Sequence, residues 1–334
     1  MTTPTVVVVG TKFSSLEPER EILGAIGARV VDASGLGRAD VLDRCGDASA
    51  ILTDYFSWDR AAIAVLRRCR VICQYGVGLD QIDVAAATAA GIVVAHTPDY
   101  CVEEVAEHTI ALLFAVARKI AQYDRSVRQG SWDFNIGSPI SRIAGRTLGV
   151  IGFGHVGRSV ARRALALGLR VVATDPYQDE ESIRAAGAEP TSLADLLKQA
   201  DFVSIHSPLN ESTAKMIGRA ELSSMKVGAI LVNTSRGGLV DQAALVEALA
   251  HGRLAGAGLD VLEREPPRAD EPLLAFDDVV VTPHAAFLSE DSLRVVQRDA
   301  ALEVRRVLSG DRPLHAANDG GAGEALHHAP AEAL

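Results

Sequence analysis

The sequence predicts an α/β fold made of two doubly wound parallel-sheet domains with a cleft between them. Three observations predict it. Short apolar runs recur along the chain, bounded by Gly or Asp and separated by Ala- and Leu-rich stretches of helical character, the mark of strands covered on both faces of a parallel sheet. The alternation is complete once before residue 100 and begins afresh at residue 147. At 334 residues the chain is also long enough for two domains that each bury a core.

The first strand is Val6-Val7-Val8-Val9, followed by a polar helix pattern from Pro18 to Ile26. Strands follow at Arg29-Val30-Val31, Ala50-Ile51-Leu52-Thr53, Val71-Ile72-Cys73 and Ile92-Val93-Val94. Val102 to Arg118, apolar with Glu103, Glu104, Glu107 and His108 interspersed, reads as one long helix suited to bridging domains or packing a partner subunit. A polar loop from Gln129 to Arg142 carries Trp132, Phe134, Gly137 and Pro139. Six further runs, at 147–151, 170–174, 202–205, 229–232, 257–259 and 279–281, make the second sheet. Leu288 to Leu308 reads as a long helix that crosses back to close the first domain. Residues 1–100 and 285–317 are thus expected to form a discontinuous first domain and 101–284 the second. From about Leu314 the chain turns to Gly, Ala, Glu, His and Pro, and 318–334 is expected to be a disordered tail in which His327-His328 is merely solvated.

Between the run Thr147–Ile151 and the helical stretch from Arg158 stands Gly152-Phe153-Gly154-His155-Val156-Gly157. In that setting Gly152 permits a tight turn, Gly154 lets backbone meet a pyrophosphate, and Gly157 lets helix lie on strand. The free N–H groups of the helix start then face the phosphates. The next strand ends at Asp175, 18 positions beyond Gly157, where a carboxylate accepts from both ribose hydroxyls and repels a 2′-phosphate. The pattern predicts a Rossmann-like site for NAD rather than NADP. Arg236, Glu265 and His284 follow as polar positions suited to a nicotinamide site with its own acid.

The formal net charge of −10 gives no electrostatic reason to expect nucleic acid or an anionic membrane as partner. Cys45, Cys69, Cys73 and Cys101 lack the paired spacing of a zinc site and read as reduced thiols, so no metal is expected. No apolar run approaches the roughly 20 residues of a membrane span, and Met1-Thr2-Thr3-Pro4 lacks a basic leader, so a cytoplasmic protein is expected.

Seven ordered motifs make the chain resemble the D-isomer-specific 2-hydroxyacid dehydrogenases. They are Tyr75-Gly76-Val77-Gly78-Leu79-Asp80, Val105-Ala106-Glu107-His108, the glycine turn, His206-Ser207-Pro208-Leu209 with Thr213, Asn233-Thr234-Ser235-Arg236-Gly237, Leu259-Asp260-Val261-Leu262 with Glu265-Pro266, and Thr282-Pro283-His284. The segment Pro98 to Val105 looks closest to the branch related to C-terminal binding proteins. The resemblance implies that the first domain binds substrate and the second NAD. It implies His284 as the acid in reduction of a 2-oxoacid, a role suited to imidazole. Glu265 would fix its tautomer and favour its imidazolium form, and Arg236 would hold the substrate carboxylate and carbonyl with a planar fork. The N–H groups of Val77 and Gly78 would hold the same carboxylate. On the cofactor side, His155 and Val156 fall to the pyrophosphate, Asp175 to the ribose, and His206, Ser207, Pro208 and Thr213 to the adenine side. Thr234, Asp260 and His284 fall to the nicotinamide half, Asp260 through the carboxamide.

Structural alternatives stand beside these roles: Arg236 as an ion-pair partner of Asp260, Glu265 as a loop cap, His284 as a satisfied histidine. The pocket is expected near Lys12, Phe13, Tyr55, Phe56 and Tyr75, with Trp132 contributed by a partner subunit in a homodimer. Glu265 stands where a formate dehydrogenase would carry Gln, which argues against that activity. The alternatives for the whole chain are an NAD-sensing corepressor-like scaffold and a dehydrogenase of phosphite- or phosphonate-type substrates.

Overall fold

The computed structural model describes residues 3–318. They fall into two compact units, residues 3–100 with 289–318, and Cys101–Leu288. In the first, parallel strands β1 (Thr5–Val9), β2 (Arg29–Asp32), β3 (Ala50–Thr53), β4 (Val71–Gln74) and β5 (Val93–Ala95) stand in the order β2-β1-β3-β4-β5. The unbroken valines of β1 follow from burial on both faces: Val7 and Val9 join a core with Ile51, Trp58 and Ile72, Val6 and Val8 one with Leu52 and Cys73. The helix Glu290–Ser309 seals the second core with Val296, Ala300, Val304 and Val307, spaced to share a face. Ser289 caps its start by accepting from the N–H of Ser292.

In the second unit, β6 (Thr147–Ile151), β7 (Arg170–Thr174), β8 (Glu189–Pro190), β9 (Phe202–Ile205), β10 (Ala229–Asn233), β11 (Leu254–Leu259) and β12 (Val279–Val281) form one sheet in the order β12-β11-β10-β9-β6-β7-β8. All its pairings are parallel. The order reverses between β6 and β9, so the chain leaves their carboxyl ends in opposite directions and a crevice opens there. The helix Val102–Ala117 lies on the sheet through Ala106, Thr109, Leu112, Leu113 and Val116. The small residues of β11 let it approach: a Cβ at Gly258 would stand 2.9 Å from that of Leu112.

The structure departs from the sequence reading in several places. The helix predicted to Arg118 is followed at once by another, Ile120–Arg128, with Lys119 between them at φ 57°. The ammonium of Lys119 donates to Asp278 and to the carbonyl of Ala255. β8 is an edge pair too short to leave an apolar run, and β11 starts at Leu254. Residues 285–288 cluster with the second unit rather than the first, because the Asp260 carboxylate accepts the N–H groups of Ala285 and Ala286. Beyond Leu314 the chain does not loosen at once but pairs with β5. His96 donates to the carbonyl of His315 and Ala317 to that of Val94, and Asn318, 3% exposed, accepts from the N–H of Val94. The rest of the expected tail, including His327 and His328, lies outside the described residues. Among the described residues no helix is long and apolar enough to cross a membrane, and no cluster of three metal-ligating side chains is present.

Candidate active site

The glycine turn stands at the crevice between β6 and β9. Gly152 adopts φ +88°, and a Cβ there would meet the His206 carbonyl at 2.6 Å, so both conformation and contact demand glycine. At Gly157 a Cβ would lie 2.1 Å from the Gly152 carbonyl oxygen. Gly154 is different: a Cβ there would meet no protein atom within 4 Å. Nothing in the fold requires glycine at that position, whereas a dinucleotide pyrophosphate laid against the backbone does. Gly154 is also the N-cap of the helix His155–Ala166 and lacks a side-chain cap, leaving the first N–H groups to an anion. The residues present therefore fit a dinucleotide.

Asp175, at the end of β7, accepts from the N–H of Phe153 at 2.7 Å and of Tyr177 at 2.8 Å. These bonds fix the carboxylate beside the turn. His206, after β9, bonds Ser204 Oγ through Nε2 at 2.7 Å. Its Nδ1 is buried without a partner among the described residues. Burial lowers its pKa to about 3, so the ring is neutral in the ordinary range. Ser207 and Pro208 follow, and Thr213 closes their loop by donating to the Pro208 carbonyl at 2.7 Å.

Arg236, Glu265 and His284 all belong to the second unit, on the loops after β10, β11 and β12. His284 Nδ1 donates to Glu265 Oε2 at 2.7 Å, the two side chains about one-third exposed. The other oxygen of Glu265 accepts from the N–H of Leu262 at 3.0 Å. Burial works to raise the Glu265 carboxyl, but the His284 bond, the Leu262 N–H and the nearby charge of Arg236 outweigh it and hold the group below its usual range. Glu265 is therefore an ionised acceptor, which sets the Nδ1 proton of His284 and leaves its Nε2 outside this pair. The Arg236 guanidinium donates to the Ser235 carbonyl at 2.8 Å. Its loop packs tightly: a Cβ at Gly237 would stand 2.0 Å from the carbonyl carbon of Leu262.

Two residues expected at the nicotinamide point inward. Thr234 Oγ1 lies 2.8 Å from Thr109 Oγ1. The Asp260 side chain is 1% exposed and accepts from Thr282, Ala285 and Ala286, so its oxygens hold the loop that carries His284. His108 and Thr282 stand in two of the sequence motifs without an assigned role. The structure joins them at 2.9 Å, His108 Nε2 to Thr282 Oγ1. The signal for His108 was a histidine among apolar residues on a helix.

In the first unit Val77 is exposed in the loop after β4, beside half-buried Gly78. Thr97 holds this loop, accepting from the N–H of Gly76 at 2.8 Å, as does His96, whose Nδ1 lies 3.0 Å from the Val77 carbonyl. Tyr55 is 47% exposed with the Lys12 ammonium 5.3 Å from its ring centre. Tyr75 corrects an expectation. It is 4% exposed, packs edge-on against Phe13 and donates its hydroxyl to Glu19 at 2.7 Å. A buried phenol needs such an acceptor, and the pairing turns the ring into the core rather than toward a ligand. Phe56 is likewise partly buried against a core. Trp132, in contrast, is 91% exposed.

Residues 110–286 match the family description "D-isomer specific 2-hydroxyacid dehydrogenase, NAD binding domain". The chain is 44% identical over 259 residues to a glyoxylate reductase of Korarchaeum cryptofilum, spanning 75% of this chain and 77% of that one. It is 39% identical over 293 residues to a D-3-phosphoglycerate dehydrogenase of Methanocaldococcus jannaschii, spanning 87% of this chain but 55% of that one. The chain thus spans about half the length of that relative. Among solved structures, a glyoxylate reductase from Paecilomyes thermophila superposes with a TM-score of 0.86 at 30% identity, over 95% of this chain and 98% of that one.

Proposed function

This chain belongs to the D-isomer-specific 2-hydroxyacid dehydrogenase family and carries its NAD-binding domain, and from that we propose that it interconverts a small 2-oxoacid and its D-2-hydroxyacid with NAD(H). The observation that carries the reading is the 2.7 Å bond between His284 Nδ1 and the ionised Glu265. Glu265 fixes one ring nitrogen as a donor and places negative charge beside the ring. In reduction the imidazolium then gives its Nε2 proton to the carbonyl oxygen, and in oxidation the neutral ring takes a proton from the hydroxyl. Arg236 holds the substrate carboxylate and polarises the carbonyl through its planar fork, and the N–H groups of Val77 and Gly78 are the proposed carboxylate donors of the first unit. NADH, when bound, supplies the hydride. The helix start at His155 and Val156 takes the pyrophosphate, and Asp175 takes the ribose. His206, Ser207, Pro208 and Thr213 border the adenine.

The cytoplasm is the proposed location. A homodimer is the proposed state, because Ile120, Val127, Trp132 and Phe134 expose 57%, 48%, 91% and 80% of their surface over one short segment, a concentration of apolar side chains that favours a partner. The test of the activity is NADH oxidation by the purified protein with glyoxylate, hydroxypyruvate, its 3-phosphate, pyruvate, phenylpyruvate and phosphonopyruvate, NADPH run in parallel. Turnover of at least one, faster with NADH, is expected. Tight NADH binding with turnover of none would favour the scaffold reading instead.

A further inference from the structure

We infer that His108 is a positioning residue for His284, acting through the Thr282 hydroxyl and the Asp260 carboxylate; the inference rests on the reading of His284 as the proton donor. His284 has φ 52°, a left-handed conformation that is costly for a non-glycine residue and persists only where neighbours over-determine it. Asp260 supplies that constraint. Its carbonyl accepts the N–H of His284 at 2.8 Å, its Oδ1 the N–H of Ala285 at 2.9 Å, and its Oδ2 the N–H of Ala286 at 2.8 Å.

The carboxylate needs orienting in turn, and Thr282 does this by donating to Oδ1 at 2.5 Å. The one proton of that hydroxyl is thereby committed, so at its 2.9 Å contact with His108 Nε2 the Thr282 oxygen accepts. His108 accordingly carries a proton on Nε2. The same nitrogen lies 3.6 Å from Asp260 Oδ1. His108 stands on Val102–Ala117, the helix whose apolar face is seated on β10 and β11. The chain of bonds therefore ties the His284 loop to a rigid element, and no member of it competes for the Nε2 face of the acid.

The test compares wild type with Thr282→Val, Thr282→Ser, His108→Leu, His108→Gln and the pair His108→Leu/Thr282→Val, in kcat and KM for the best 2-oxoacid, NADH affinity and Tm. Displacement of a catalytic group by about 1 Å costs on the order of 100-fold. Thr282→Val and His108→Leu are expected to lose about 10- to 100-fold in kcat with NADH affinity unchanged. Thr282→Ser and His108→Gln, which keep a hydroxyl and an N–H donor, recover most of the loss. The pair is no slower than the slower single variant, since both interrupt one chain. Retained kcat in His108→Leu, losses that multiply in the pair, or loss without rescue would overturn the inference. A crystal structure of Thr282→Val reads the same link without turnover. If wild type reduces no 2-oxoacid, the reading of His284 fails, and φ of residue 284 alone decides the relay: departure from the left-handed region supports it, retention overturns it.

Discussion

At the scale of single residues, a candidate position was legible wherever a side chain carries chemistry that a bland residue cannot replace. Arg236, Glu265 and His284 are such positions, and the structure places all three on adjoining loops of one unit. Arg236→Lys is expected to raise KM for the oxoacid and lower kcat/KM by about 100-fold, because a point charge cannot bind carboxylate and carbonyl as a fork; steady-state kinetics measure it, and an unchanged kcat/KM would remove Arg236 from the site. Asp175→Ala is expected to shift the NADPH/NADH ratio of kcat/KM toward NADPH by about 10-fold or more, worth roughly 1.4 kcal/mol per decade. An unmoved ratio would show that the carboxylate serves only the N–H groups of Phe153 and Tyr177. Inward-facing partners were less legible. Asp260 and Tyr75 occupy motif positions, yet sequence cannot tell whether a polar side chain faces a ligand or a buried donor, and in both the internal bond took the side chain.

At the scale of elements, apolar runs announced most strands because parallel strands covered on both faces cannot hide their composition. The two-residue β8 and the second helix Ile120–Arg128 did not announce themselves, the first for want of length and the second because Lys119 interrupts an otherwise continuous pattern. The buried group Glu19, Tyr75 and Gln297 joins the helices Glu17–Gly24 and Glu290–Ser309 to the end of β4. Burial raises the Glu19 carboxyl above its ordinary value, outweighing the bonds from Tyr75 and Gln297. A group raised on folding adds stability that is fully present below its unfolded value and is lost as pH rises through the folded one. Wild type should therefore lose stability, from this source, as pH climbs above the ordinary carboxylate range. Glu19→Gln lacks the term, so urea midpoints should shift in favour of the variant across that climb, whatever their offset at low pH. Parallel curves would contradict it.

At the scale of the whole molecule, the sequence carried two sheets and a returning helix because each is written as a pattern. The ordered pairing of residues 315–318 with β5 was not, since a polar segment held by backbone bonds leaves no apolar trace. Self-association belongs to this scale too. Trp132→Ala/Phe134→Ala removes the two most exposed aromatic rings of the segment after Ile120 and is expected to weaken the proposed dimer by at least about 10-fold, some 1.4 kcal/mol, in sedimentation equilibrium. An unaltered association constant would place the interface elsewhere.

Whether this family member is an enzyme whose proton passes through His284 is decided by one comparison. NADH-dependent reduction of the best 2-oxoacid is measured for wild type and His284→Ala, with NADH affinity determined on the same samples. NADH is expected to bind both alike while kcat falls on the order of 100- to 10,000-fold in the variant. Equal turnover by the two proteins would contradict it.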